Sequence, residues 1–293
     1  EIHSMNATLA SSLSDFLGTW WGMTIFILID IAVLVLIIAL NYRWLFKRAL
    51  DILFSIVFMA VFLPFFLIAL IADAIYNKSQ NAYPALFESA DFAGKKGKVI
   101  RMTVFATERN LRDAVGNLLP ERQRVTAMGK ILKACGMKFY PCLPAVFIGE
   151  LSFVGPAPMT LTDASAVGED ASVRFNVRPG LVSSLERYGG ENLDWNDMFE
   201  EDAEYVEHIN FFRDISFFMT KIANRLRGDT ARKNGICGEI GYVDWLLKEG
   251  KIAAEDAAGY AEEGKAKLRE VKRADKERRE FEAANFRDIN RFK

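Results

Sequence analysis

The sequence predicts a membrane protein of α+β, mostly α, character, and three observations predict it. Two long apolar segments fall in the first third of the chain. The last third is heavily charged, and the part between alternates turn, strand and helix signals. With 293 residues, 51% of them hydrophobic, there is material for one or two domains, so the uneven distribution informs more than the average does.

Residues 20–41 are almost continuously apolar. At 1.5 Å per residue such a helix spans roughly 30 Å, the thickness of a bilayer core, and Trp20 and Trp21 sit where indoles favour the interface. Asp30 interrupts the run near its middle, where a carboxyl costs about 3 kcal/mol unless it is neutral, paired or wet. Two readings stand side by side: a protonated side chain tolerated by a very apolar helix, or a contact with another membrane helix. Arg43, Lys47 and Arg48 follow the run and mark that side as cytoplasmic, which puts the N-terminus outside. Met5 follows Glu1 to Ser4, and no basic n-region or small-residue cleavage site of a signal peptide is present.

Residues 52–72, between Asp51 and Asp73, are also uncharged and long enough to cross. Crossing would carry the rest of the chain outside. Pro64 lies just past the midpoint and removes a helical hydrogen bond there, so a helix-break-helix that enters and leaves by one face is the alternative. Broken backbone in lipid is costly, so such a segment must be braced by protein.

From residue 77 the composition turns globular. GKKGKVIRM, 94–102, reads as a turn and a short strand, and 117–137 as a helix with Val125, Met128, Ile131 and Leu132 on one face. Residues 140–158 carry four prolines and read as mostly extended or turning. Residues 192–227 read as helical, with Asp194 as the cap and Asp197, Glu200 and Glu201 in the first turns. Phe211, Phe212, Ile215, Phe218, Ile222 and Leu226 would share one side beside Lys221, Arg225 and Arg227, a pattern that suits a helix on a membrane surface or one facing a core. The tail is acidic over 229–263 and basic over 264–293, and Leu268, Val271, Phe281, Ile289 and Phe292 are too sparse for a coiled coil. A solvated helix or a docking arm for a partner fits it.

Composition excludes several classes. A net charge of −1 argues against a nucleic-acid binder. Cys135, Cys142 and Cys237 form no CxxC pair and read as free thiols. With only His3 and His208, histidine-rich metal sites and Ser-His-Asp triads are close to excluded, and no metal site is expected.

GELSFVGPAP at 149–158, followed by VRPG at 177–180, resembles the bacterial sugar transferase family, the monotopic polyprenyl-phosphate hexose-1-phosphate transferases. FKRALDILFS at 46–55 resembles the family's opening motif, and LDWNDMFEEDAEYVEHINFFRDISFF through RLRG extends the likeness to about residue 228. The resemblance implies a re-entrant helix centred on Leu63 and Pro64. The full expectation is then one N-terminal transmembrane helix, a Pro-broken re-entrant helix and a small cytoplasmic α/β body with interfacial helices, in a bacterial inner membrane. The segments are 1–19, 20–41, 42–76, 77–228 and a charged extension, 229–293. The resemblance further implies transfer of a sugar phosphate from a UDP-sugar to polyprenyl phosphate, with an attacking Asp, its Glu partner and magnesium.

At these positions the chain departs from the family. Counting back from Gly149, the Asp-Glu pair falls on Lys138 and Phe139, with Pro141 still in register. The family's Lys-Phe-Arg strand end reads Val104-Phe105-Ala106, and Gly-Pro-Arg-Pro reads Gly155-Pro156-Ala157-Pro158. A nucleophile, its partner and three cations are replaced, so no catalytic residue and no cofactor is expected, with magnesium needed only if the chain is active. Arg178, beside Pro179 and Gly180, is either a phosphate or lipid head-group ligand or a structural cation. Glu150 is the nearest remaining carboxylate, and Lys98 with Lys138 would make a residual anion site. The leading expectation is a non-catalytic structural or regulatory subunit. It would contact membrane lipids, bind a protein partner through the Asp30 helix and the tail, and keep a site for polyprenyl phosphate. The alternatives are an active transferase with relocated chemistry and a lipid-phosphate binder without turnover.

Overall fold

The computed structural model describes residue 16 and residues 18–79, 86–109, 111, 121–188, 193–227 and 240–291. Most of the segment 1–19, the start of the helix expected from residue 117, Cys237 and the junction at 228/229 lie outside the described residues.

Helix α1, Trp20–Asn41, matches the first apolar run. Thr19 caps it, its Oγ accepting from Gly22 N at 3.1 Å. The helix is apolar all round and its side chains stand exposed, as they do in a helix whose solvent is lipid. A π-helical turn, Tyr42–Phe46, joins it to α2, Lys47–Ser79. Both helices are long and apolar enough to cross a membrane. The two separate helices expected around Pro64 are not seen: Pro64 lies inside one continuous helix. Its missing N–H leaves Ala60 O without the usual donor. One residue earlier, Met59 O accepts from Tyr140 Oη at 2.6 Å, so the body braces the loosened turn.

Strands β1, Phe87–Ala93, and β2, Val99–Phe105, flank a 3₁₀ turn at Lys95–Gly97 and pair antiparallel from Phe87↔Phe105 to Ala93↔Val99. Helices α3, Glu121–Arg124, and α4, Ala127–Cys135, follow. A 3₁₀ segment, Met137–Cys142, then leads into α5, Leu143–Ile148. Of the 140–158 stretch, predicted as extended or turning, the first part coils, since Pro144 falls in the first turn of α5, where a missing N–H costs no intrahelical bond. β3, Ser152–Val154, pairs parallel with β5, Gly180–Val182, and β4, Met159–Thr160, adds to the edge of β1. Between them lie α6, Leu161–Ser165, and a 3₁₀ turn at Asp170–Asn176.

Helix α7, Trp195–Glu207, opens with the expected cap. Asp194 accepts from Asn196 N and Asp197 N, and Asp197 closes a capping box. Helix α8, Phe211–Leu226, is two-faced in a way the sequence divides differently. Phe211 and Phe218 pack inward on a core of Tyr42, Val154, Val182, Tyr205, Val206, Ile209 and Phe217. The exposed stripe is Phe212, Ile215, Met219, Ile222 and Leu226.

The tail is part of the body. Helix α9, Tyr242–Lys248, buries Trp245 and Leu246 in a second core with Met159, Leu185, Leu193, Trp195 and Met198. Thr160 caps α6 by accepting from Asp163 N, and the Asp163 carboxylate accepts from Val243 N at 3.0 Å. Helix α10, Ala254–Arg291, crosses α6 at Gly264, where a Cβ would lie 2.9 Å from Thr162 N. Beyond that crossing α10 is mostly exposed and laced with pairs such as Arg273–Glu277.

Candidate functional site

Val104, Ala106, Lys138 and Phe139 lie by the end of β2, whereas Ala157 lies two residues before β4, whose partner residue Ala93 faces the start of β2. Val104, where the family pattern has a lysine, and Phe139, where it has a glutamate, join one apolar cluster built on Ile100, Met102, Cys142, Val146 and Leu151. Phe105, between Val104 and Ala106, is fully buried in a neighbouring cluster with Leu132 and Met137. The short 3₁₀ run after Gly136 turns Phe139 inward and leaves Lys138 half-buried, its Nζ 5.8 Å from the Phe139 ring centre. Cys142 donates from Sγ to Thr103 O at 3.1 Å, and burial pushes its thiol up to about 11, so it stays protonated and unreactive at neutral pH.

A cavity of about 300 Å³ opens beside this cluster, between α2 and α8. Phe58, Phe62, Phe139, Phe153 and Phe218 line it, and Arg225 stands among them. The Arg225 Nε is buried without a hydrogen-bond partner among the described residues. Lys221, also on this wall, is committed: Nζ donates to Leu181 O at 2.7 Å, pairs with Glu186 at 2.9 Å, and sits 6.0 Å from the Phe139 ring centre. Sequence reasoning named Arg225 only as a cation of the helix. Its place was hidden because the pattern did not say which face of α8 meets α2.

The retained motif lies at the other end of α5. Arg178 donates from Nε to Gly149 O at 2.6 Å, while Arg48 donates to Val146 O and Phe147 O at 2.7 and 2.6 Å. Two guanidinium groups thus satisfy carbonyls that end a helix. Lys95 lies near enough that burial, and then the Arg178 charge, lower its pKa. Gly155 and Gly180 are required by close approach: a Cβ at Gly155 would lie 2.5 Å from Arg178 O, and one at Gly180 2.1 Å from Gly155 N. Gly155 N donates to Val182 O and Gly180 N to Pro156 O, both at 2.9 Å, and Pro179 O accepts from Ser152 N at 2.9 Å. This motif is a backbone clasp around the β3–β5 pair. Glu150 is exposed at the same end, roughly 18 Å along the chain axis from Lys138 by helical rise. Lys98 precedes β2 whereas Lys138 neighbours its far half, roughly 15 Å of strand away, so the two lysines stand apart.

Two buried polar groups went unforeseen. At the base of the membrane helices, Asp214 accepts from Tyr42 Oη at 2.6 Å, from Tyr205 Oη at 2.8 Å and from Lys47 Nζ. Lys47 also reaches Val154 O at 3.0 Å and Tyr205 Oη at 2.9 Å. Asp51 accepts from Ser152 Oγ at 2.8 Å and Phe153 N at 3.0 Å, fastening α2 to β3. Under the Gly-Pro-Ala-Pro turn, Arg174 donates to Ala157 O at 2.5 Å and pairs with Asp202 at 3.3 Å, both residues being buried. Burial pushes Asp202 up to about 6 against the pull of Arg174. Charged residues at the edges of apolar runs, Lys47, Asp51 and Asp214, were the signal available for the first group.

Among the described residues no three His, Cys, Asp or Glu side chains gather as a metal cage. The sequence model described as "Bacterial sugar transferase" matches residues 42–228, more than half of the chain. The protein named "Uncharacterized sugar transferase EpsL" from Bacillus subtilis is 33% identical over 122 residues, covering 42% of this chain and 60% of that protein. A Caulobacter vibrioides protein named "UDP-glucose:undecaprenyl-phosphate glucose-1-phosphate transferase" is 28% identical over 195 residues, 63% of this chain and 71% of that one. The Salmonella typhimurium "Undecaprenyl-phosphate galactose phosphotransferase" is 23% identical over 202 residues, 63% of this chain but 41% of its own length.

Proposed function

The chain belongs to the bacterial sugar transferase family, and from that premise we propose that it is a non-catalytic member, serving as a structural or regulatory subunit of a membrane assembly. One observation carries the reading. Phe139 and Val104, at the positions of the family's glutamate and lysine, pack into one apolar cluster. Phosphoryl transfer needs a carboxylate nucleophile and opposed charges at the reacting oxygens. Here the corresponding groups are an amine, a phenyl ring and an isopropyl group. Magnesium takes hard oxygen ligands, and this donor set does not suit it. The retained glycines, prolines and Arg178 serve the backbone clasp, which supports a scaffold kept for its shape.

The same reading includes a placement. The body touches α2 on both sides of Pro64, with Phe54 and Phe58 against Phe153 before it and Phe66 against Tyr140 after it. A helix held to one globular body on both sides of Pro64 stays with that body at one membrane face, with the turn loosened at Pro64 as its deepest point. The exposed stripe of α8, together with Phe147 and Ile148 of α5, seats the body on that face. Arg43 and its neighbours make the face cytoplasmic, in a bacterial inner membrane with the N-terminus outside.

A second reading, lipid-phosphate binding without turnover, has the aromatic cavity and the unbonded Arg225 Nε in its favour. Binding of polyprenyl phosphate and absence of transfer would join the two readings. The test uses the full chain in lipid nanodiscs with undecaprenyl phosphate, magnesium and radiolabelled UDP-sugars. No label reaches the lipid. Magnesium-dependent labelling would overturn the proposal.

A further inference from the structure

We infer that α1 docks against a partner's transmembrane helix carrying a lysine or arginine at mid-bilayer depth, with Asp30 as its contact. This rests on the assembly role proposed above. Asp30 is the eleventh of the 22 residues of α1, roughly 15 Å from either end by helical rise. Its side chain is exposed, and no hydrogen bond or ion pair joins it to any described residue. Ile27, Ile31 and Leu34 around it are each about half exposed, at 54%, 52% and 56%, so α1 meets nothing among the described residues at that depth. The other membrane helix, α2, carries no basic residue between Arg48 and Lys78 and cannot supply the counter-charge. Arg43 lies thirteen residues on, roughly 20 Å away.

A carboxyl held in hydrocarbon is relieved by a donor or a cation at the same depth. Charge complementarity selects the occupant. A second copy of this chain would oppose Asp30 with Asp30, and lipid tails offer no donor. A basic side chain on a neighbouring helix neutralises the carboxylate, and the apolar flanks at Phe26, Ile27, Val33 and Leu34 pack around the pair.

The test uses the full chain reconstituted in phosphatidylcholine vesicles. Synthetic Leu/Ala transmembrane peptides carry Lys, Leu or Asp at mid-span and a dansyl acceptor at the end level with Trp20 and Trp21. The Lys peptide quenches tryptophan emission at about tenfold lower peptide-to-lipid ratio than the Leu peptide does. Asp30→Leu, which leaves α1 more apolar and still able to insert, abolishes that difference, and Asp30→Asn keeps a part of it. Equal quenching by the Lys and Leu peptides, or a Lys advantage that survives Asp30→Leu, overturns the inference. So does preferential binding of the Asp peptide, which would point to self-association. The radiolabel assay is independent: sugar transfer would sink the non-catalytic reading while leaving the peptide result standing.

Discussion

Phe139→Glu returns one carboxylate of the family pattern to its position, and the structure sets what that costs. Phe139 is half-buried against the Ile100, Met102 and Cys142 cluster. Full burial of a phenylalanine contributes about 1.5–3 kcal/mol, so losing half of it removes about 1 kcal/mol. A carboxylate among Val104, Phe153 and Leu181 adds about 1–3 kcal/mol of unrelieved desolvation. Lys221 is already occupied by Leu181 O and Glu186 and offers little relief. The single substitution therefore destabilises the body by about 2–4 kcal/mol. Adding Val104→Lys from the facing strand supplies a counter-charge, and the double variant recovers at least about 1 kcal/mol of the summed losses. Denaturant midpoints of the detergent-solubilised chain give the energies. Cys142, buried in the same cluster, gives a local check: its modification rate rises by more than tenfold in Phe139→Glu. A loss below about 1 kcal/mol, or sugar-phosphate transfer by a Lys138→Asp/Phe139→Glu variant, would refute the view that this cluster has filled the site.

Three further outcomes are expected. Tyr140→Phe removes the donor to Met59 O and costs about 1 kcal/mol, read as a lower melting temperature and faster amide exchange around Pro64. For the Arg174–Asp202 pair, the folded carboxyl titrates near 6 and the unfolded one near 3.8, so the native state binds the extra proton between those values. Stability from this group is present below about pH 4 and is lost as pH rises through about 6, a swing of up to about 3 kcal/mol. Arg174→Met, which strands the carboxylate, loses about 3–5 kcal/mol at pH 7.5 and regains most of it at pH 4.5; equal losses at both values would contradict the assignment. Gly264→Leu forces α10 off Thr162 and raises tryptic cleavage within α10, while the Trp245 core stays protected in the same digest.

Much of this could be read before the fold was known, for local reasons. The first membrane helix follows from hydropathy, the strand after GKKGK from its turn, and α7 from Asp194, because each signal lies within a few residues of its effect. The retained and substituted motif positions were likewise legible, although their spatial division was not. Arg178 and Glu150 stand at one end of α5 and Lys138 with Phe139 at the other, a separation that only the coiling of the proline-rich stretch produces. β1 was missed because FESADFA places an acid on each face of a weak alternation. The tail was read as an appendage since its apolar residues are few. Trp245 and Leu246 suffice, because the surface they cover is supplied by α7 and by residues some 80 positions earlier. Pairings at such distance, like Tyr42 with Asp214, leave no mark on local pattern.

Lys47 leaves the ribosome 167 residues before the carboxylate that finally receives it. At ordinary elongation rates that is roughly ten to thirty seconds. Throughout that interval the ammonium lacks the carboxylate that will bury it. Once Asp214 joins Tyr205 and the Val154 carbonyl around it, the charge is withdrawn into the protein. The join between the base of α2 and the body is therefore completed only when α8 has been made, and its loss would loosen that join while leaving the two apolar helices unchanged.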